Sequence, residues 1–376
     1  MRGNSKLQNP MFFVANTEER LPKDHPLRAI KRQADEVLKQ MSRAFAAAYS
    51  ETGRPSIPPE ELLKAMLLQA LYAISSERRL VEAINWNLLY RWFCDLDPDA
   101  LVWDATTFTK NRERFQEHGL VQQFFERVVQ TALVHKHASN DHFTVDGTLI
   151  QSWASLKSFR AKEEPRGHGP AGGGSNPSVD FRGSQRSNET HRSTTDPEAR
   201  LAKKSPGAGA QLAHSGHVLM ENRHGLCLDI RVARADGYAE RKTAKKMLRR
   251  FRRRHRIVPE TLGGDAGYEA GKFLRTIEDD FAITPHVPIS AERVAAADAG
   301  GDARRRMLRR MKTLGYRISQ KARKKVEQIF GWLKQPGGLR KVRHVGRWKI
   351  QQVAYLWGAA YNLLRLAHLE ALAAAG

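Results

Sequence analysis

Cysteine is almost absent: Cys94 and Cys227 are the only two in 376 residues. So distant a pair forms neither a zinc motif nor a disulfide framework, and it suits a reducing compartment. No apolar run approaches the roughly 18 residues that a membrane-spanning helix needs. The opening MRGNSKLQNP also lacks the apolar stretch of a secretory signal. A membrane-spanning role is therefore not expected, and a cytoplasmic location is. No internal repeat is visible, which excludes solenoids and propellers. Acid is scarce too: Asp+Glu number 40 against 63 Lys+Arg, leaving a formal charge of +23. A chain this basic calls for a polyanionic partner, with nucleic acid the default and a ribosomal or membrane-surface protein the rival. What the chain does have is apolar residues, 41% of the total, and length enough for two or three domains.

After an arm over 1–24, helical spacing takes over. Leu27, Ile30, Ala34, Leu38, Met41 and Phe45 recur at three and four within a helix expected from His25 to Ser50. Gly53-Arg54-Pro55 ends it, and Pro58-Pro59-Glu60 opens another running to about Ile74. Further helices are expected over Glu77–Phe93, from an Asp104 cap to Phe115, and over Gly119–His135. Residues 25–137 thus read as an all-α domain. From His142 the pattern changes. FTVDGTLIQSW alternates and is rich in β-branched residues, which marks a strand. Residues 157–216 are polar, rich in Gly, Ser and Pro, and are expected to form a long flexible insertion. Strands are expected over His217–Glu221, Leu226–Ala235, Thr261–Gly264 and Ile283–Pro288, and helices over Ala239–Arg256, Tyr268–Glu278, Tyr316–Lys334 and Ile350–Leu372. That order predicts an α/β catalytic domain over 138–376, a mixed sheet flanked by helices.

Phosphodiester chemistry with magnesium needs hard oxygen ligands, carboxylates converging on paired ions about 3.5–4 Å apart. Three acids stand where acid is otherwise unwelcome. Glu327 is the only acidic residue between Ala303 and Leu369, set among eighteen Lys and Arg. Wound as a helix, Ile318, Ala322, Val326, Ile329, Phe330 and Leu333 form a core-facing stripe, with Gln320, Arg323, Glu327 and Lys334 together on its flank. The same spacing fits a plain surface in which Glu327 pairs with Arg323 or Lys324. Asp146 lies mid-strand, where Asp is depleted, although Asp146-Gly147 is also a hairpin-turn signal. Asp265, in TLGGDAGYEAG, ends a strand where α/β sites gather, or simply caps the following helix.

The bases fall in three runs. Arg241–Arg256 holds ten Lys or Arg, Ala303–Lys325 eleven, and Lys334–Lys349 six more beside Gly337, Gly338 and Trp348. Three runs exceed what solubility needs, and they read as phosphate-positioning surface. Arg323, Lys334, Lys324, Arg340 and Lys341 are the candidate phosphate contacts. Base readout is sought in the helical domain, where DATTFTKNRERF would present Thr106, Thr107, Lys110, Asn111 and Arg114 as the second helix of a helix-turn-helix. A packing or dimerisation role fits that segment equally well. Trp332, Trp348 and Trp357 are expected in the core, and His214, His217 and His224 are expected exposed or in ordinary hydrogen bonds.

From about His25 to Leu369 the chain resembles the DDE transposases of bacterial insertion sequences, in the five-like branch of the IS four/five group. FTVDGTLIQSWAS resembles that family's first-aspartate strand, and STTDPEARLAKK with GHVLMENRHGLCLDIRVARADGYAER its second and third strands. GGDAGYEAGKF resembles its second-aspartate motif. Arg323, Glu327 and Lys334 match the family's arginine, glutamate and lysine spacing, while Gln320 stands where the family has tyrosine. The resemblance implies an RNase H-like fold with Asp146, Asp265 and Glu327 as catalytic metal ligands for two Mg²⁺ ions, Mn²⁺ being a substitute. It also implies double-stranded DNA partners (terminal inverted repeats and target), a homodimer in a paired-end complex, and action on the bacterial nucleoid. An RNase H-fold nuclease or resolvase, or an inactive DNA-binding relative, would share many of these features.

Overall fold

The computed structural model describes residues 16–50, 52, 56–162, 186–204, 208–237, 239–290, 292, 301–335 and 338–375. Most of the expected arm, the centre of the expected insertion (163–185) and Gly337 lie outside the described residues. The first half is helical: α1 (Thr17–Arg20), α2 (Pro26–Lys39), α3 (Ser42–Ala48), α4 (Pro59–Leu71), α5 (Glu77–Trp86), α6 (Leu88–Phe93), α7 (Ala105–Glu117) and α8 (Leu120–Val134). The spacing of three and four in α2 buries Leu27, Ile30, Ala34, Val37 and Leu38. Two expected helices are each broken once. His25–Ser50 interrupts at Gln40-Met41. Glu77–Phe93 divides at Asn87, whose backbone is extended and whose side chain caps α6 through the amides of Leu89 and Tyr90.

The sheet follows. β1 (His142–Ser152) is one unbroken strand of 11 residues, so Asp146-Gly147 is not a turn. β5 (Gln211–Glu221) runs antiparallel to β1 and to β6 (Leu226–Arg234), while β7 (Thr261–Gly263) and β8 (Thr284–His286) add in parallel on the other side. The principal order is β6-β5-β1-β7-β8, with β1 central, a mixed sheet of the RNase H-like kind. Residues 157–216 differ from the expected unstructured insertion. They supply β2 (Phe159–Ala161), β3 (His191–Ser193), β4 (Arg200–Ala202) and the first half of β5. A buried polar chain anchors them: the Ser152 hydroxyl donates to Asp196 at 2.8 Å, and His214 Nε2 lies 2.9 Å from the same oxygen. The polar composition hid this because its polar groups bond one another.

α9 (Ala239–His255) covers one face of the sheet, setting Phe251 edge-on against Phe143 of β1. The expected Tyr268–Glu278 helix is irregular: a single turn at Ala266–Tyr268, α10 (Gly271–Arg275), and a wide turn to Asp280. The basic segment ahead of Tyr316 contains α11 (Gly301–Met311). The expected Tyr316–Lys334 helix is α12 (Leu314–Arg323) and α13 (Lys325–Lys334), joined at Lys324 without leaving the right-handed region. Ile318, expected on the core stripe, is exposed. After β9 (Lys341–Val342) the chain ends in α14 (Arg347–Ala375), 29 residues long.

α14 packs against β6 on one side and against α8, α2 and α4 on the other. One continuous apolar core therefore runs from Leu27 through Phe124 and Phe143 to Tyr355 and Leu366. Helical region and sheet are not separately cored.

Candidate active site

The parallel pairing of β1 with β7 builds the site. Thr144 pairs with Gly263, as His142 does with Thr261, an offset of 119 residues. The same offset carried two residues further takes Asp146 to Asp265. Both acids thus stand level, where β7 has ended and β1 continues with only β5 beside it. This is the carboxyl end of a parallel pair, the usual place for a site in such sheets. Asp265 also caps the following turn, its Oδ1 accepting from the Gly267 amide at 2.9 Å. Capping and site geometry coexist there, since a carboxylate keeps free lone pairs.

Electrostatics tie the group together. Burial pushes the Asp146 carboxyl up to about 6, and the negative charges of Asp265 and Glu240 add to the effect. The Gly147 amide, donating to Asp146 at 2.8 Å, and Arg323, whose Nη1 is 3.8 Å away, oppose it. Glu240, in the first turn of α9, is likewise held above its usual value by burial and then by Asp265. Carboxylates crowded this closely with one guanidinium nearby form the donor set of a hard divalent cation, which would restore their ionisation. The donor types suit such an ion, but among the described residues no group of three or more His, Cys, Asp or Glu side chains stands positioned to hold one.

Glu327 does not join Asp146 and Asp265 by any direct contact. It is exposed, in the first turn of α13, and among the described residues it makes no ion pair, so the surface pairing with Arg323 or Lys324 is absent as well. One turn further along that helix, Phe330, Gly331 and Lys334 line a cleft of about 1130 Å³ together with Asp265 and Glu240. Helical spacing sets Glu327 on that same face. The cleft also receives Arg340 and Lys204, and burial together with these two cations depresses the Lys334 ammonium. Lys324 is exposed, and Lys341 lies 5.0 Å over the ring of Trp153. Gln320, in place of a tyrosine, donates to the His286 carbonyl at 2.9 Å and accepts from Arg323 Nε at 3.3 Å. It steadies the arginine that faces Asp146.

Several expected DNA contacts are corrected. Asn111 is buried: it donates to the Thr107 carbonyl at 2.9 Å and accepts from Tyr49 at 3.2 Å. Arg114 lies 4.5 Å over the Tyr49 ring. Asn111 is turned into the helical core, because α7 must bury the face it turns to α4 and α5, while Arg114 stays half-buried. Thr106 and Lys110 are exposed and Thr107 is half-buried. The extra helix α6 between α5 and α7 also departs from a short helix-turn-helix. In the first basic run, Arg250 and Arg254 are not free for phosphate, since both pair with Glu126 of α8. In the second run, Arg306 and Arg310 pair with Glu278. His214 and His224 make ordinary hydrogen bonds, to Asp196 and to the His137 carbonyl, as expected, whereas His217 is buried without a hydrogen-bond partner among the described residues and Trp348 is exposed rather than in the core.

Sequence reasoning missed Glu240. Its signal was available: an acid placed directly before ten bases, the same contrast that singled out Glu327.

Two family models match: Transposase domain (DUF772) over residues 15–114 and Transposase DDE domain over residues 189–363. Among curated proteins none matches. Among solved structures, a piggyBac transposase synaptic complex with hairpin DNA shares 9% identity at a TM-score of 0.43, covering 96% of this chain and 78% of that one. A Mos1 transposase paired-end complex with left transposon end shares 10% at a TM-score of 0.19, covering 85% and 80%. No helix among the described residues is long and apolar enough to cross a membrane. With both transposase domains matched in succession over most of its length, and the paired aspartates at the end of β7, this chain belongs to the DDE transposase family.

Proposed function

We propose that this transposase binds the terminal inverted repeats of its element, cleaves DNA there, and joins the freed 3′-hydroxyls to target DNA. Asp146 and Asp265 are the carboxylates that hold the cations, and Glu327 completes the acid set from a helix lining the same cleft. Support comes above all from one observation: the register of β1 with β7 brings two aspartates 119 residues apart level with one another, beside Arg323. Bound there, two Mg²⁺ ions, or Mn²⁺ in their place, would sharpen the attacking oxygen and offset charge on the leaving oxygen.

The chain's own groups do the remainder. Arg323, steadied by Gln320, offsets charge developing on the scissile phosphate. Lys334 and Arg340 hold flanking phosphates in the cleft, with Lys324 and Lys341 further out along the duplex. Thr106, Thr107 and Lys110 remain as the outward part of α7 for contact with the repeat. Two copies holding paired ends on the nucleoid of a bacterial cell are the assembly this chemistry requires, because both element ends must be cut and joined together.

A strand-transfer assay with Mg²⁺ and cognate ends tests the reading. Joined product is expected from the native chain. Asp146→Ala, Asp265→Ala and Glu327→Ala should each lose cleavage and joining while retaining the mobility-shift complex. Cleavage without joining would make the protein a nuclease or resolvase, and binding alone an inactive relative. Undiminished joining by Glu327→Ala would remove that residue from the acid set.

A further inference from the structure

We propose that Glu240 is a cation-ligating carboxylate of this site, contributed by α9 alongside Asp146 and Asp265. The inference rests on the reading of Asp146 and Asp265 given above and adds a residue to it.

The carboxylate of Glu240 is wedged between two glycines. A Cβ on Gly147 would lie 3.1 Å from its Oε1, and a Cβ on Gly267 would lie 2.8 Å from its Oε2 and 3.0 Å from Asp265 Oδ1. Glu240 thus reaches both the strand of Asp146 and the turn capped by Asp265, and any side chain at Gly267 would push two carboxylates aside. An acid in the first helical turn has an ordinary explanation, the positive end of the helix dipole. That explanation accounts for an acid pointing to solvent, whereas Glu240 is turned toward two other acids, where like charges oppose it.

Two buried neutral groups beside it lack hydrogen-bond partners among the described residues. The Tyr268 hydroxyl is fully buried and has no hydrogen-bond partner among the described residues, and the charges acting on it are Glu240, Asp146 and Asp265, in that order. His217 pairs across the sheet with Gly147 and is also fully buried. Among the described residues neither of its ring nitrogens has a hydrogen-bond partner, and Nδ1 lies 3.2 Å from the Gly147 Cβ position. Buried polar atoms almost always find partners, so two such groups around one acid cluster mark a place that a hydrated cation would complete.

Mn²⁺ binding to the full-length protein, followed by calorimetry without DNA, tests the proposal. Glu240→Gln keeps the shape and removes the charge, and it should weaken Mn²⁺ binding by about tenfold or more. Glu240→Asp should fall between Glu240→Gln and the native chain, and Gly267→Ala should weaken binding as Glu240→Gln does. Unchanged Mn²⁺ affinity in Glu240→Gln, with affinity lost in Asp146→Asn, would overturn the role of Glu240 and leave the site standing. Native affinity in both Asp146→Asn and Asp265→Asn would instead overturn the underlying reading. Should Glu240→Gln fail to fold, Fe²⁺ in place of Mg²⁺, with ascorbate and peroxide, reads the native chain directly. Backbone scission beside Glu240 as well as beside Asp146 and Asp265 is expected, and scission sparing residues around 240 would overturn the proposal.

Discussion

The two ends of α9 handle charge in opposite ways. At its carboxyl end Arg250 and Arg254 converge on Glu126, Arg250 donates to the Tyr355 hydroxyl at 3.0 Å, and buried Asp229 sits close by. Opposite charges answer one another, and the network bolts α8 to the sheet and to α14. At its amino end Glu240 meets Asp146 and Asp265, with Arg323 the nearest cation to Asp146. One helix thus bears a balanced cluster whose task is done on folding and an unbalanced one that the proposed cation would neutralise. Polar burial alone does not separate a structural network from a site. The sign of what is left over does.

The contrast breaks most visibly through activity. Asp146→Asn or Asp265→Asn should cut strand transfer by on the order of 10³-fold or more in a Mg²⁺ assay, with thermal stability held or raised as like charges are relieved. Glu126→Ala should do the reverse. It leaves half-buried Arg250 without its carboxylate and releases exposed Arg254, and should cost about 1–3 kcal/mol in urea unfolding, while any protein that remains folded still cleaves. A loss of cleavage in folded Glu126→Ala protein would dissolve the distinction between the two ends.

Titration sharpens it further. An acid whose folded pKa is raised destabilises the fold as pH climbs from its unfolded value through its folded one. Asp146 therefore contributes a stability loss between about pH 4 and about 6 in metal-free protein. The loss is at most about 3 kcal/mol, and Mg²⁺ or Asp146→Asn should erase it in pH-dependent melting. Asp229, pushed up to about 7 chiefly by burial, gives a loss of the same sign that Mg²⁺ leaves untouched. The smallest effect belongs to α7. Asn111→Ala should destabilise by about 1–3 kcal/mol through its unpaired neighbours, with repeat preference in a binding-site selection unchanged. Lys110→Ala should leave stability alone and lower DNA affinity modestly, most of all at low salt.

What could be read in advance follows from range. β1 was legible because period-two alternation over FTVDGTLIQSW is a local property, and Asp146 was conspicuous within it. Asp265 was legible as the end of a short strand. The register that joins them was not, because the offset of 119 residues becomes a contact only once β7 pairs with β1. Glu240 was passed over since an acid beginning a helix has a local explanation. The inward arginines misled for the same reason: charge counts along a helix do not say which charges meet Glu126 or Glu278 across the fold. Asn111 and Arg114 looked available because α7 is polar on several faces, and only its packing shows which face is covered.

The terminal helix carries a temporal consequence. The helical region is made before the sheet, yet the apolar faces of α2, α4 and α8 are covered by α14, which begins about 200 residues further along the chain. Until residues near Leu366 are free, those faces are only partly covered by their helical neighbours, and completion of the shared core waits for α14. A message broken anywhere ahead of that point yields aggregation-prone polypeptide rather than a stable fragment able to occupy DNA without cutting it.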